Sequence, residues 1–206
     1  MTLQQIVNLY ENGLLKGKSK APEPAKPRRG FYHDIKYVLD FQKTCKSEYD
    51  LLFACVFNRD RHLYLLSKTI AVIATDALFN GKVLHGVYSD FETLYDRVRS
   101  LLNPIKGLGD VAYYDITVRI GFLLKIYPDN KVYYHVHLRD CARIILGVNR
   151  LKSYRCDTAL FNALLGVMPS IFIEDFLCSM YNNIKSPTFT FGKLPAHSNL
   201  NINYFK

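Results

Sequence analysis

Two stretches of helical apolar spacing, 89–102 and 110–124, are joined by only the seven residues Asn103 to Gly109. That short joint limits the fold more than any other feature of the chain. In the first stretch Phe91, Leu94, Tyr95, Val98, Leu101 and Leu102 line one side. Ser89 is expected to cap it, with Glu92 three residues on as in a capping box. In the second stretch Val111, Ile116, Ile120, Leu123 and Leu124 are expected to face inward. Arg119 is expected to point to solvent or to pair with Asp115 at i−4. The joint contains Pro104 and two glycines, so the chain turns sharply between the two helices.

Helical spacing dominates elsewhere. It predicts helices over 2–15, 34–44, 47–57, 61–79, 138–147, 157–166 and 169–184, with Ser47 as a cap. Asn80-Gly81 ends one of these helices and Gly147 another. Residues 131–136 read as an irregular approach to the next helix, a short strand being the other option. The expectation is an all-α chain, a single mainly helical domain of eight or nine helices. Residues 1–30 supply an N-terminal helix and a basic, Pro-containing linker, 31–186 the helical domain, and 187–206 an irregular tail. The linker stretch 16–30 holds six Lys or Arg and three Pro, which suits a solvated connector or an arm that neutralises phosphates.

Charge and cysteine content narrow the function classes. The 206 residues carry a net charge of +9, and 49% are hydrophobic, so disordered and collagen-like classes are excluded. No run of about 18 apolar residues exists, so no membrane partner is expected. The N-terminal stretch lacks the pattern of a secretory signal. Five cysteines, at 45, 55, 141, 156 and 178, contain no C-x-x-C spacing and read as buried free thiols of a cytoplasmic protein. Neither a phosphate-binding lysine loop nor a dinucleotide glycine motif is present, and no cofactor is expected.

The segment Ile105-Lys106-Gly107-Leu108-Gly109 followed by a helix resembles the helix-hairpin-helix element of the DNA glycosylase-like superfamily. The shared pattern is an apolar residue, any residue, Gly, an apolar residue and Gly. Glycines there let the backbone approach a ligand, and the amides of 108–111 point outward at a helix N-terminus, an arrangement that binds a phosphate oxygen. Lys106 adds charge, and Leu108 is expected to tuck between the helices. A plain helix–helix turn with a glycine cap is the other reading. The stretch 132–147 strengthens the resemblance. His135 or His137, Arg139, Arg143 and Leu146-Gly147 match a superfamily segment of His, Val and Arg leading into a helix that ends in Leu-Gly. The resemblance spans about residues 45–165 and is firm around 104–121 and 135–147.

The departures bear on chemistry. Bifunctional members carry a lysine nucleophile just past the second glycine, where this chain has Asp110, Val111 and Ala112. Members also carry an aspartate before the His-Val segment, where Tyr133 and Tyr134 stand here. The resemblance therefore implies the scaffold and DNA affinity without standard glycosylase or lyase catalysis. The leading expectation is sequence-independent DNA binding through Lys106, Gly107, Leu108 and Gly109, with Arg97, Arg99 and Arg139 supplying charge. DNA binding would place the protein at the nucleoid. RNA or an acidic protein would suit the same charge. Two other classes stay open: a protein–protein module on a degenerate scaffold, and an enzyme acting on a modified base or nucleoside. For the enzyme, Asp115 and Asp140 are the candidate carboxylates. His135, His137 and Asp140 are no more than a sparse metal set, and no metal is expected. Tyr113-Tyr114 and Tyr133-Tyr134 read either as base-stacking platforms or as core. Arg59, Asp60 and Arg61 read as a solvated turn or a basic loop, and His62 and His85 as structural.

Overall fold

The computed structural model describes residues 1–18, 31–57, 66–134, 136–149, 151, 155–166, 168–192, 196, 198 and 200. Among them are ten helices and two short strands, so the chain is mainly helical. In order they are α1 (Leu3–Lys18), α2 (Phe31–Thr44), α3 (Glu48–Val56), α4 (Lys68–Asn80), α5 (Phe91–Leu102), α6 (Asp110–Leu124), β1 (Lys131–Tyr133), α7 (Val136–Leu146), β2 (Arg155–Asp157), α8 (Thr158–Leu165), α9 (Ser170–Ser179) and α10 (Tyr181–Ile184). They form two compact units. One is Pro22–Tyr127, and the other joins Met1–Ala21 to Pro128–Lys206. No single helix among the described residues is long and apolar enough to cross a membrane. Residues 19–30 of the basic linker lie outside the described residues, as do Arg59, Asp60, Arg61, His62 and His135 and the His137 side chain.

In the unit Pro22–Tyr127, α6 is the central helix, packed against α2, α3 and α5. Every side chain from Ala112 to Leu123 is buried, on all faces and not on one. Arg119 is among them at 0% exposure, so it neither points to solvent nor stays on the surface. Its Nη1 donates to the Cys55 carbonyl at 2.9 Å, in the last turn of α3. Carbonyls there have no intrahelical partner, and a cation suits the negative helix end. Tyr113 and Tyr114 are 4% and 6% exposed, which overturns a base-stacking role. Tyr114 instead meets Phe91 of α5 edge to face at 6.1 Å.

The start of α5 shifts by one residue from the sequence reading. Asp90, not Ser89, is the cap, and Thr93, not Glu92, completes the box. Asp90 has the extended backbone a cap requires, and its carboxylate accepts from the Thr93 amide at 2.8 Å. Ser47 caps α3 as expected. The helix α4 ends at Asn80, but the left-handed residue after it is Lys82 and not Gly81.

In the other unit, α1 buries Leu3, Ile6, Val7 and Tyr10. The Tyr10 ring meets Phe176 edge to face at 5.4 Å, and its hydroxyl donates to buried Asp175 at 2.8 Å. Residues 131–133 form a strand after all, paired antiparallel with Arg155–Asp157. The partner strand is 24 residues away, Lys131 against Asp157 and Tyr133 against Arg155, and local spacing carries no sign of it. Tyr133 and Tyr134 are buried, at 3% each, which removes them too as stacking platforms. The helix expected over 169–184 breaks at Met180 into α9 and α10. Gly147, at φ 63°, closes α7 as expected.

The cap of α5 yields a pH-dependent expectation. Hydrogen bonds from the Thr93 hydroxyl and amide, then Ser89, hold the exposed Asp90 carboxyl below its usual value. A depressed carboxyl pKa stabilises the fold above the unfolded value, and that stabilisation is lost as pH falls through the folded one. Asp90→Ala is therefore expected to lower the melting temperature at neutral pH. The gap to wild type should close in acid, below the ordinary aspartate range. A gap unchanged in acid would contradict the capping role.

Candidate nucleic-acid interface

The joint between α5 and α6 is a tight, hydrogen-bonded turn. Asn103 N–H donates to the Arg99 carbonyl at 2.8 Å, Ile105 N–H to Leu102 at 3.0 Å, and Leu108 N–H to Ile105 at 3.4 Å. Gly107 sits at φ 96°, where an L side chain is strained. A Cβ there would also stand 2.8 Å from Ile70 Cδ1 on the first turn of α4. Gly107 is thus set by its backbone conformation, because the Ile70 methyl is the far end of a flexible side chain that can move aside.

Gly109 differs. It is the N-cap of α6, in extended backbone at φ −137° that any residue adopts. A Cβ on it would meet nothing within 4 Å. Neither conformation nor packing within the unit demands a glycine at this place. Its carbonyl receives the first bond of α6, from Tyr113 N–H at 3.0 Å. The amides of Asp110, Val111 and Ala112 belong to the first turn, which has no intrahelical acceptors for them. They carry the positive end of a 15-residue helix.

The charges around this turn are only partly those expected. Lys106 is exposed at the tip, and Leu108 is half-buried. The Tyr113 hydroxyl donates to the Leu108 carbonyl at 3.2 Å and staples the turn to α6. Burial pushes that phenol up, Asp110 adds to the effect and Arg99 opposes it, so the donor stays protonated. Arg99 reaches across from α5, its Nε 3.7 Å from Asp110 Oδ1. The Asp110 carboxylate is held toward α5 by this half-exposed pair. Sequence reading named Arg99 but missed its pairing, although opposite charges at the facing ends of two short-linked helices were a usable signal.

The other candidates lie elsewhere. Arg97 donates from Nη2 to the Gly81 carbonyl at 3.0 Å, closing the end of α4. Arg139 is half-buried on α7 and belongs to the other unit. The turn therefore gathers Lys106, Gly107, Leu108, Gly109 and Arg99, and leaves out Arg97 and Arg139. Of the carboxylates, Asp115 is 4% exposed within α6. Asp140 is held by Arg143 Nη1 at 3.6 Å and Lys185 Nζ at 3.3 Å. No group of three or more His, Cys, Asp or Glu able to hold a metal occurs among the described residues. His85 Nε2 lies 2.8 Å from Glu48 Oε1, a surface contact within one unit.

Comparison with family models, curated proteins and solved structures finds no match to this chain.

The two glycines should separate in a stability measurement. Gly107→Ala is expected to cost about 1–2 kcal/mol from the left-handed backbone. Gly109→Ala is expected to change stability by less than about 0.5 kcal/mol. Urea unfolding of both variants checks this, and equal losses would contradict the assigned backbone.

Proposed function

We propose that this chain binds DNA without sequence preference, taking a backbone phosphate on the turn between α5 and α6. The observation that carries the reading is Gly109, a glycine that neither conformation nor packing requires, placed at the exposed start of a helix. A ligand that must come close to the backbone accounts for the missing side chain. Lys106 beside it adds an unshielded positive charge, and the chain as a whole carries +9. Phosphate contacts of this kind position a duplex without reading its bases. Standard glycosylase or lyase chemistry is not part of the proposal. The nucleophile position past Gly109 holds Asp110, Val111 or Ala112, and both candidate carboxylates are buried or paired.

Asp110 gives the proposal an unusual sign. Its carboxylate stands at the same helix end that would receive the phosphate, and Arg99 is spent on holding it. A bound phosphate would repel Asp110 and compete with it for Arg99. The ion pair therefore weakens binding, and it does so most at low salt, where charges are least screened.

A second reading rests on α4. Val72, Ile73 and Phe79 are 36%, 48% and 42% exposed on that helix. An apolar surface of this kind suits a protein partner, as in an interaction module.

Anisotropy of a labelled duplex at roughly 50 and 200 mM salt tests both readings. Wild type is expected to bind at the lower salt and to weaken steeply at the higher. Gly109→Glu, which puts a charged side chain on the helix start, is expected to lose roughly tenfold or more in affinity, the cost of one blocked phosphate contact. Asp110→Asn is expected to bind more tightly than wild type. Normal binding by Gly109→Glu would overturn the phosphate contact. No binding at low salt by folded protein would turn attention to the α4 face.

A further inference from the structure

We infer that the flank of α7 bearing Arg139 and Arg143 is an anion site that takes a phosphate group between the two guanidinium ions. The helix belongs to the unit Met1–Ala21 with Pro128–Lys206 and packs against α8, α9 and α10. It buries Leu138, Cys141, Ala142 and Ile145. Arg139 and Arg143 stand four residues apart beside that buried face. They are therefore neighbours on one flank, with about 5–6 Å between their Cβ atoms.

Arg139 is set apart from the other arginines by its lack of a partner. Arg97 and Arg119 each donate to a carbonyl. Arg99 and Arg143 face carboxylates, and Arg155 lies over the Tyr133 ring. Among the described arginines, Arg139 alone has no hydrogen bond, ion pair or ring contact. Its side chain is nonetheless held. It is half-buried, and its Nε is closed to solvent without an acceptor. Packing therefore fixes the stem while the Nη nitrogens stay open to solvent. Arg143 repeats the arrangement, with its Nε closed off and its Nη1 3.6 Å from Asp140, beyond hydrogen-bond distance. A guanidinium that is already held in place loses little further freedom when an anion arrives.

Local counter-charge is scarce. The one carboxylate of α7 is Asp140, and Arg143 shares it with Lys185, whose Nζ lies at 3.3 Å. The sequence from Arg139 to Arg155 holds five Lys or Arg against this single acid. The Arg139 charge is also felt at Tyr134, just past β1. Burial and Cys156 push the Tyr134 phenol up, and Arg139 opposes them without prevailing. The phenol therefore stays protonated and adds no negative charge beside Arg139.

The number and direction of the donors select the ligand. A carboxylate offers two oxygens in one plane and satisfies a single guanidinium fork. A phosphate offers its oxygens in tetrahedral directions and accepts from two forks at once. The pair therefore fits a phosphate group, carried by a nucleic-acid backbone or free in solution. The site lies in a different unit from the α5–α6 turn, and it does not rest on the contact proposed there.

The test follows the arginine Nε resonances of the isotope-labelled full chain through two titrations, one with sodium phosphate and one with a short duplex. Sodium chloride at equal ionic strength is the control for each. The expected result is a saturable shift of Arg139 and Arg143 in at least one titration, which chloride does not reproduce. A response to the duplex, with duplex affinity lowered roughly tenfold in Arg139→Gln, assigns the site to a nucleic-acid backbone. A response to phosphate alone, with duplex affinity unchanged in that variant, assigns it to free phosphate. In Gly109→Glu the Arg139 shift is expected to persist, which separates this site from the turn. No shift in either titration, or a shift that chloride reproduces, would overturn the site. The wild-type titrations decide the matter even if a variant fails to fold.

Discussion

A cation with no solvent contact sits inside the unit Pro22–Tyr127, and the position of the α5–α6 turn follows from it. Arg119 is fully buried and donates to the Cys55 carbonyl, so α6 is held to the end of α3 at one register. A buried guanidinium is tolerated only where its donors are met, which makes the contact directional in a way that apolar packing is not. Around it α6 is buried on every face, and α5 then packs along it through Phe91 and Tyr114. With both helices placed, the seven residues between them have one short path to follow.

That path determines the chemistry of the turn. It forces Gly107 into a left-handed conformation against Ile70, and it brings Gly109 and the first amides of α6 to the surface. It also draws Arg99 to Asp110 across the two helix ends. The first pair of consequences suits an anion, and the last opposes one. The phosphate contact proposed for this turn would accordingly be weak and sensitive to salt.

Much of this unit was legible in the sequence because its determinants are local. The bounds of α6, the cap at Ser47 and the turn at 103–109 follow from spacing and from the conformational demands of single residues. What local pattern could not give was anything decided by distant neighbours. The strand Lys131–Tyr133 depends on Arg155–Asp157, which pairs with it from 24 residues along the chain. Arg119 read as pointing to solvent or pairing with Asp115, because the Cys55 carbonyl that accepts from it is 64 residues away. Asp90 and Thr93 displaced Ser89 and Glu92 by a single position, a choice between two good caps that only the packed helix makes. At the turn itself, the glycines and Lys106 were legible, whereas the contact of Gly107 with Ile70 had no sequence signal.

The central claim is that the amides at the start of α6 meet a phosphate. The most direct measurement is a titration of the isotope-labelled protein with a short duplex, followed by amide proton and nitrogen shifts. The account predicts shifts centred on Gly107 to Ala112, with the Arg99 Nε resonance moving as its pairing with Asp110 changes. Shifts confined to the exposed face of α4 around Val72 and Ile73, or no shifts at low salt, would contradict it.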